Sequence, residues 1–179
     1  EAAAGAARQV LLQARNPMII AGQGVLYAEA TDELIELAEL AQLPGATALE
    51  GKSAFPEHHP LALGTGAGTM PRTVHTFLQK ADVILAVGTS LTKHNITAAV
   101  VPPGKIIIHA TNDERDINKQ YACDYPILGD AKLVLRQFVE AAKDILGGKK
   151  RDAEGALAAE IKKGREEWLR EWMPKLTSN

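Results

Sequence analysis

ADVILAVG, residues 81–88, is the stretch that decides the fold. Val83 to Val87 form an unbroken aliphatic run closed by Gly88. The run is short and lacks the apolar–polar alternation of a half-exposed strand, so it reads as a strand buried on both faces. Strands of that kind belong to parallel sheets covered by helices. Outward from it, similar segments recur: MIIAG at 18–22, GATALE at 45–50, KIIIHA at 105–110 and the shorter YPILGD at 125–130. LAL at 61–63 is a further short candidate inside an irregular stretch rich in glycine and proline.

Amphipathic helical segments fill the intervals. Residues 2–15 place Ala3, Ala7, Val10, Leu11 and Ala14 on one stripe. Thr31 is placed to cap a helix carrying Leu34, Leu37, Ala38 and Ala41 inward, with Ala28 to Ala30 as an extension and Pro44 as its stop. Pro71 opens a helix with Val74, Phe77 and Leu78 inside, and Asp130 is placed to cap AKLVLRQFVEAAKDIL. Strands alternating with helices predict an α/β, Rossmann-like doubly wound fold, with a mostly parallel sheet of about six strands and helices on both faces. After Gly147-Gly148 the composition shifts to a charge-laced helix. The expected organisation is a domain over 1–147 and a helical connector over 148–179.

Composition narrows the function. The chain has 179 residues, 46% hydrophobic and 23% charged, with one cysteine and a net charge of −2. One cysteine excludes an internal disulfide and a multi-cysteine zinc site. The charge balance gives no basic footprint for nucleic acid. No apolar run approaches the ~20 residues needed to span a bilayer, and no signal peptide is evident, so a soluble, cytoplasmic protein is expected. The chain starts in helical register without methionine, which suggests processing or a piece of a longer polypeptide.

In a doubly wound fold, ligands bind beyond the carboxyl ends of the strands, near the point where strand order reverses. Gly22-Gln23-Gly24 follows a strand as a dinucleotide fingerprint should, but Tyr27 stands where the third glycine belongs. It reads either as a tight turn or as a nucleotide contact. Gly51-Lys52-Ser53 ends like a phosphate-binding loop, yet Ala46 occupies the position of its first glycine. Asp113 is placed either to accept from a ribose or to cap the short helix ERDINK. His58 and His59 are adjacent and diverge, so they do not grip a metal, and His109 reads as a hydrogen-bonded core residue. Ser53, Ser90 and Ser178 lack a nucleophile elbow. No catalytic acid–base pair stands out.

Taken in order, A-x-x-L-x-x-A-R-N-P-x-I-I-A-G-Q-G-V, L-x-x-L-A-E-L, GKSAFPEHHPLALG, ADVILAVGTSL, IIIHATNDERDINK and ILGDAKLVL resemble the central domain of thiamine-diphosphate-dependent enzymes of the acetolactate synthase group. The resemblance covers about residues 1–146, and WLREWMPKLTSN resembles the linker to the following domain. It implies a three-domain parent, a homodimer or homotetramer, in which thiamine diphosphate and magnesium sit between the first and third domains. Gly129-Asp130-Ala131 starts like the diphosphate–magnesium motif, but no asparagine pair follows. The chain alone is therefore expected to lack catalysis and to need its N- and C-terminal domains as partners.

For the middle domain the resemblance implies scaffolding and, in some members, binding of the ADP part of FAD or another nucleotide. The contacts would fall at Gly22, Gln23, Gly24, Thr47, Ala48, Leu49, Leu63, Gly64, Gly88, Thr89, Asn112, Asp113, Gly129 and Asp130. One departure stands against FAD. Flavin-binding members carry V-G-x-R-F-D-D-R after the strand matching ILAVG, whereas this chain has Gly88-Thr89-Ser90-Leu91-Thr92-Lys93-His94-Asn95. Lys52 lies in the loop expected to face the active site of the parent. A free-standing nucleotide-binding module and an empty structural domain are the alternatives.

Overall fold

The computed structural model describes residues 2–66, 70–93, 101–151 and 155–177. The sequence readings at Ala67, Gly68, His94, Asn95 and Ser178 lie outside the described residues. Six strands form one parallel sheet: β1 (Pro17–Ala21), β2 (Gly45–Thr47), β3 (Ala62–Thr65), β4 (Val83–Val87), β5 (Ile106–Thr111) and β6 (Tyr125–Leu128). Their order across the sheet is β3-β2-β1-β4-β5-β6, and every pairing is parallel. The strand order reverses between β1 and β4, which pair from Pro17↔Val83 to Ala21↔Val87. β1 and β4 are buried at every position, as an all-aliphatic run requires. The edge strand β6 alternates half-buried and exposed instead.

Helices cover both faces. α1 (Ala2–Gln13) and α3 (Thr31–Ala41) pack against α5 (Ala131–Leu146), while α4 (Arg72–Lys80) packs against α6 (Ala156–Leu176). The apolar stripes point inward as their spacing predicts: Leu34, Leu37, Ala38 and Ala41 on α3, and Val74, Phe77 and Leu78 on α4, are buried. Between α3 and α5, the largely buried Glu33 meets Arg136 at 3.0 Å and Lys132 at 3.8 Å, and the more exposed Glu36 meets Lys143 at 2.6 Å. No described helix is long and apolar enough to cross a membrane.

Four local readings need correction. β2 ends at Thr47 rather than Glu50, because the chain turns beyond it: the Ala48 carbonyl accepts from the Gly51 amide at 3.1 Å and the Leu49 carbonyl from the Lys52 amide at 3.2 Å. Gly22-Gln23-Gly24, read as a tight turn or a nucleotide contact, opens a short helix, α2 (Gln23–Tyr27). Thr31 does not cap α3 but lies inside it: the cap position falls to Ala30, which offers no side-chain acceptor. Glu29, at φ 50°, separates α2 from α3, so Ala28 to Ala30 do not extend α3. The tail also differs in one respect from a free connector. α6 lies along α4, with Ile161 buried and Lys80–Glu160 (2.5 Å) and Arg72–Glu171 (2.6 Å) bridging the two helices.

Candidate functional site

The strand reversal between β1 and β4 is sealed by backbone packed on backbone. Gly22 N–H donates to the Val87 carbonyl at 2.9 Å, and Gly24 N–H donates to the Gly88 carbonyl at 2.7 Å. A Cβ on Gly22 would stand 2.4 Å from the Gly88 oxygen and 2.5 Å from the Thr89 Cβ. A Cβ on Gly24 would stand 2.8 Å from the Gly88 Cα. Gly88 itself has φ +61°, a left-handed conformation that favours glycine. The two glycines of Gly22-Gln23-Gly24 thus let two segments of the chain meet, and their amides are spent on that meeting.

Beside this seam, on the side of α5, a small cleft of about 120 Å³ opens at the carboxyl ends of β4, β5 and β6. Five of the predicted contacts line it: Gly24, Gly88, Asn112, Gly129 and Asp130. Tyr27 joins them from α2 with its side chain largely exposed, 79%. The sequence reading treated Tyr27 only as a missing glycine, and its place on a helix turn facing the cleft was the missed signal. The polar groups here have prior commitments. Asp130 accepts from the amides of Lys132 (3.0 Å) and Leu133 (3.1 Å), capping α5 as expected. Gly129 N–H donates to the Thr111 carbonyl at 2.9 Å.

Asp113 stands outside the cleft lining and caps the short 3-10 turn Glu114–Asp116. Its carboxylate accepts from the Arg115 amide at 3.0 Å and from the Arg115 guanidinium at 2.6–3.1 Å. Those bonds hold its pKa down at about 2. The capping role is the one the structure builds. Thr89 is likewise engaged: its hydroxyl accepts from the Leu91 amide at 3.2 Å, and its carbonyl accepts from His109 Nε2 at 2.8 Å. His109 is buried, hydrogen-bonded core, with Nδ1 left without a partner.

The remaining predicted residues sit at the other wing. Thr47 is buried and shares a 3.2 Å hydrogen bond with the Thr65 hydroxyl, and Leu49 is exposed in the loop beyond β2. Leu63 and Gly64 line a second, wider cleft of about 660 Å³ beneath Trp168 and Trp172 of α6. Lys52 lies at its rim, exposed and paired with Glu57 at 3.5 Å. Arg165 of α6 anchors the cleft wall by donating to the Ala62 carbonyl at 2.6 Å. The predicted set is therefore split between two places along one edge of the sheet.

Two ligand groups can be tested against these residues. The diphosphate–magnesium site of a thiamine enzyme does not fit: the Asp130 carboxylate that would open such a motif is turned into its own helix. The cleft at Gly24 and Asp130 fits part of a nucleotide only. Its 120 Å³ is well under the roughly 300 Å³ at which enclosing small-molecule pockets begin.

Comparison with known proteins bears on the fold and the family. The family described as "Thiamine pyrophosphate enzyme, central domain" matches residues 4–138. The chain belongs to this family. A Methanocaldococcus jannaschii protein named "Probable acetolactate synthase large subunit" is 36% identical over 75% of this chain and 23% of its own length. The Escherichia coli acetolactate synthase isozyme 3 large subunit is 34% identical, over 75% of this chain and 24% of that protein. An X-ray structure described as a thiamin diphosphate-dependent enzyme from Mycobacterium smegmatis superposes with a TM-score of 0.63 at 26% identity, covering 78% of this chain and 27% of that one. This thiamine-enzyme central domain thus spans about a quarter of the length of the relatives it matches.

Proposed function

We propose that the chain serves as the middle domain of a thiamine-diphosphate-dependent carboligase or decarboxylase resembling acetolactate synthase. In this reading residues 1–147 form a scaffold between an N-terminal and a C-terminal domain, and 148–179 lead toward the latter. The observation that carries the reading is the match over residues 4–138 to a central-domain family whose relatives are about four times as long. Thiamine diphosphate and magnesium belong to the neighbouring domains, and the parent assembles as a cytoplasmic homodimer or homotetramer. This domain supplies no catalytic residue. Its part is to hold the neighbours at a fixed distance and to close over the cofactor, with Lys52 and the loop around it facing that side.

The cleft at Gly24, Gly88, Asn112, Gly129 and Asp130 serves the ADP portion of FAD or of another nucleotide. What supports this is the convergence of those residues, from four separate strand ends, on one place. Tyr27 at the rim offers an aromatic face for a base. Isothermal titration of the 179-residue chain with FAD and with ADP tests the assignment. Saturable binding of ADP that is weakened by Tyr27→Ala supports it. Absence of binding by either ligand to the chain and to the full-length parent refutes the nucleotide role and leaves the scaffold.

A further inference from the structure

The opposite, amino edge of the sheet carries charge that the scaffold and the nucleotide cleft do not use. A cavity of about 220 Å³ opens there between the start of β1, the turn before β2, α4 and α6. Three cations line it: Arg15 before β1, Lys80 at the end of α4, and Arg151 in the connection from α5 to α6. Among the described residues Glu160 is the one carboxylate in the lining, and it is taken by Lys80 at 2.5 Å. The nearby Asp82 attracts Arg151 through space but forms no ion pair with it. Its two oxygens accept from the backbone amides of Arg15 (2.8 Å) and Asn16 (2.9 Å).

Arg15 and Arg151 are left with no carboxylate within ion-pair distance among the described residues. Arg151 is the more demanding of the two. Its amide donates to the Leu40 carbonyl at 3.1 Å and one terminal nitrogen, Nη2, donates to the Ala14 carbonyl. The other, Nη1, is buried and has no partner among the described residues. Burial pushes the guanidinium pKa down, offset only in part by the charge of Asp82. A guanidinium keeps its charge at neutral pH, and its planar fork fits the paired oxygens of a carboxylate or phosphate. A buried donor of this kind, opening on a cavity, lacks an acceptor rather than a purpose.

We propose that this amino-edge cavity binds a small oxyanion, a phosphate or carboxylate group, held between Arg151 and Arg15. Asn16 supplies a side-chain amide at the rim, the Gln42 amide there is already donated in part to the Glu39 carbonyl at 2.8 Å, and Phe77 gives an apolar wall for a compact organic body. The cavity is smaller than the roughly 300–1,000 Å³ of drug-sized pockets, which excludes a whole nucleotide. Because Arg15 belongs to the start of the sheet and Arg151 to the α5–α6 connection, the anion would fasten that connection to the domain. The site is at the edge of the sheet away from the nucleotide cleft, so the two assignments stand or fall separately.

The test is a titration of the 179-residue chain with inorganic phosphate and, separately, with butyrate, at constant ionic strength set by sodium chloride. Side-chain amide signals of Asn16 and Gln42 are followed by nuclear magnetic resonance. Saturable shifts with either probe, weakened about tenfold or more in Arg151→Gln, are the expected result. Phosphate alone would assign a phosphate ligand, and butyrate alone an organic acid. Arg15→Gln, an exposed position, gives the same reading should Arg151→Gln not fold. A response that is linear, that chloride reproduces, or that survives both substitutions overturns the proposal.

Discussion

Gly22→Ala separates two reasons for a glycine after β1. If Gly22 is there to admit a ligand, the ligand-free domain should tolerate one methyl group. If it is there because β1 and β4 meet backbone to backbone, the domain should lose stability with no ligand present. The structure favours the second reason, and the size of the loss can be worked out. Backbone φ at Gly22 is −105°, ordinary for alanine, so the effect is steric. The new Cβ would lie 2.4–2.6 Å from Gly88 O and from the Thr89 Cβ and Cα, about 1 Å inside normal contact. Overpacking of a rigid site costs about 1–3 kcal/mol. The displacement also stretches the Gly22–Val87 and Gly24–Gly88 hydrogen bonds, each worth about 1 kcal/mol net. The total is about 3–5 kcal/mol. Urea unfolding followed by circular dichroism would show it as a midpoint lowered by roughly 1.5–2.5 M, taking a slope of ~2 kcal/mol/M. Gly5→Ala is the control: nothing lies within 4 Å of its Cβ, and alanine inside α1 should stabilise by ~0.5–1 kcal/mol. A Gly22→Ala midpoint within ~0.3 M of wild type would refute the packing argument.

Two further outcomes are expected. The Asp113 carboxyl should titrate near 2 in the intact chain, and Arg115→Ala should return it toward the model-compound value of 3.8, read by carboxyl carbon resonances. Since the folded pKa lies below the unfolded one, the stability that this pair adds is complete above pH 3.8 and fades as pH falls toward 2. A wild-type Asp113 titrating at 3.8 would contradict the hydrogen bonds described. Asp130→Ala removes the acceptor for two α5 amides and should cost about 1 kcal/mol in thermal or urea unfolding. Asp130→Asn should recover most of that loss, and equal losses in the two variants would argue against capping.

Much of the fold was legible because the central buried strands are nearly continuous apolar runs, broken in β5 only by His109 and Thr111. Val83–Val87 and Ile107–Ala110 are short, bounded, β-branched-rich runs that read as two-sided strands, and the helix stripes around Leu34 and Val74 follow from spacing alone. Asp130 was legible as a cap because a carboxylate sits just ahead of its amides, whereas at Asp113 the same local pattern left a ribose contact equally open until the Arg115 bonds were in place. The misses were tertiary. QGVLY is too short to show a helical period, and Thr31 lost its cap position to Ala30 because α2 delivers the chain through Glu29 at positive φ. α6 looked solvated because its attachment to α4 is made of ion pairs and one buried Ile161, none of which forms a stripe. The amino-edge cavity was invisible for a related reason. Arg15 and Arg151 are distant in sequence and meet only once the sheet and α6 are in place.

The strand order also governs how the chain leaves the ribosome. β1 occupies the middle of the sheet but is made early, and its partner β4 follows only after β2, β3 and α4 have emerged. At common synthesis rates of 5–20 residues per second, Pro17 waits about 3–13 s for Val83. During that interval one flank of a wholly aliphatic strand has no partner in its own chain. Every nascent copy therefore passes through a sticky half-sheet, and slow codons placed between Thr65 and Val83 would lengthen that exposure, raising aggregation without altering the finished protein.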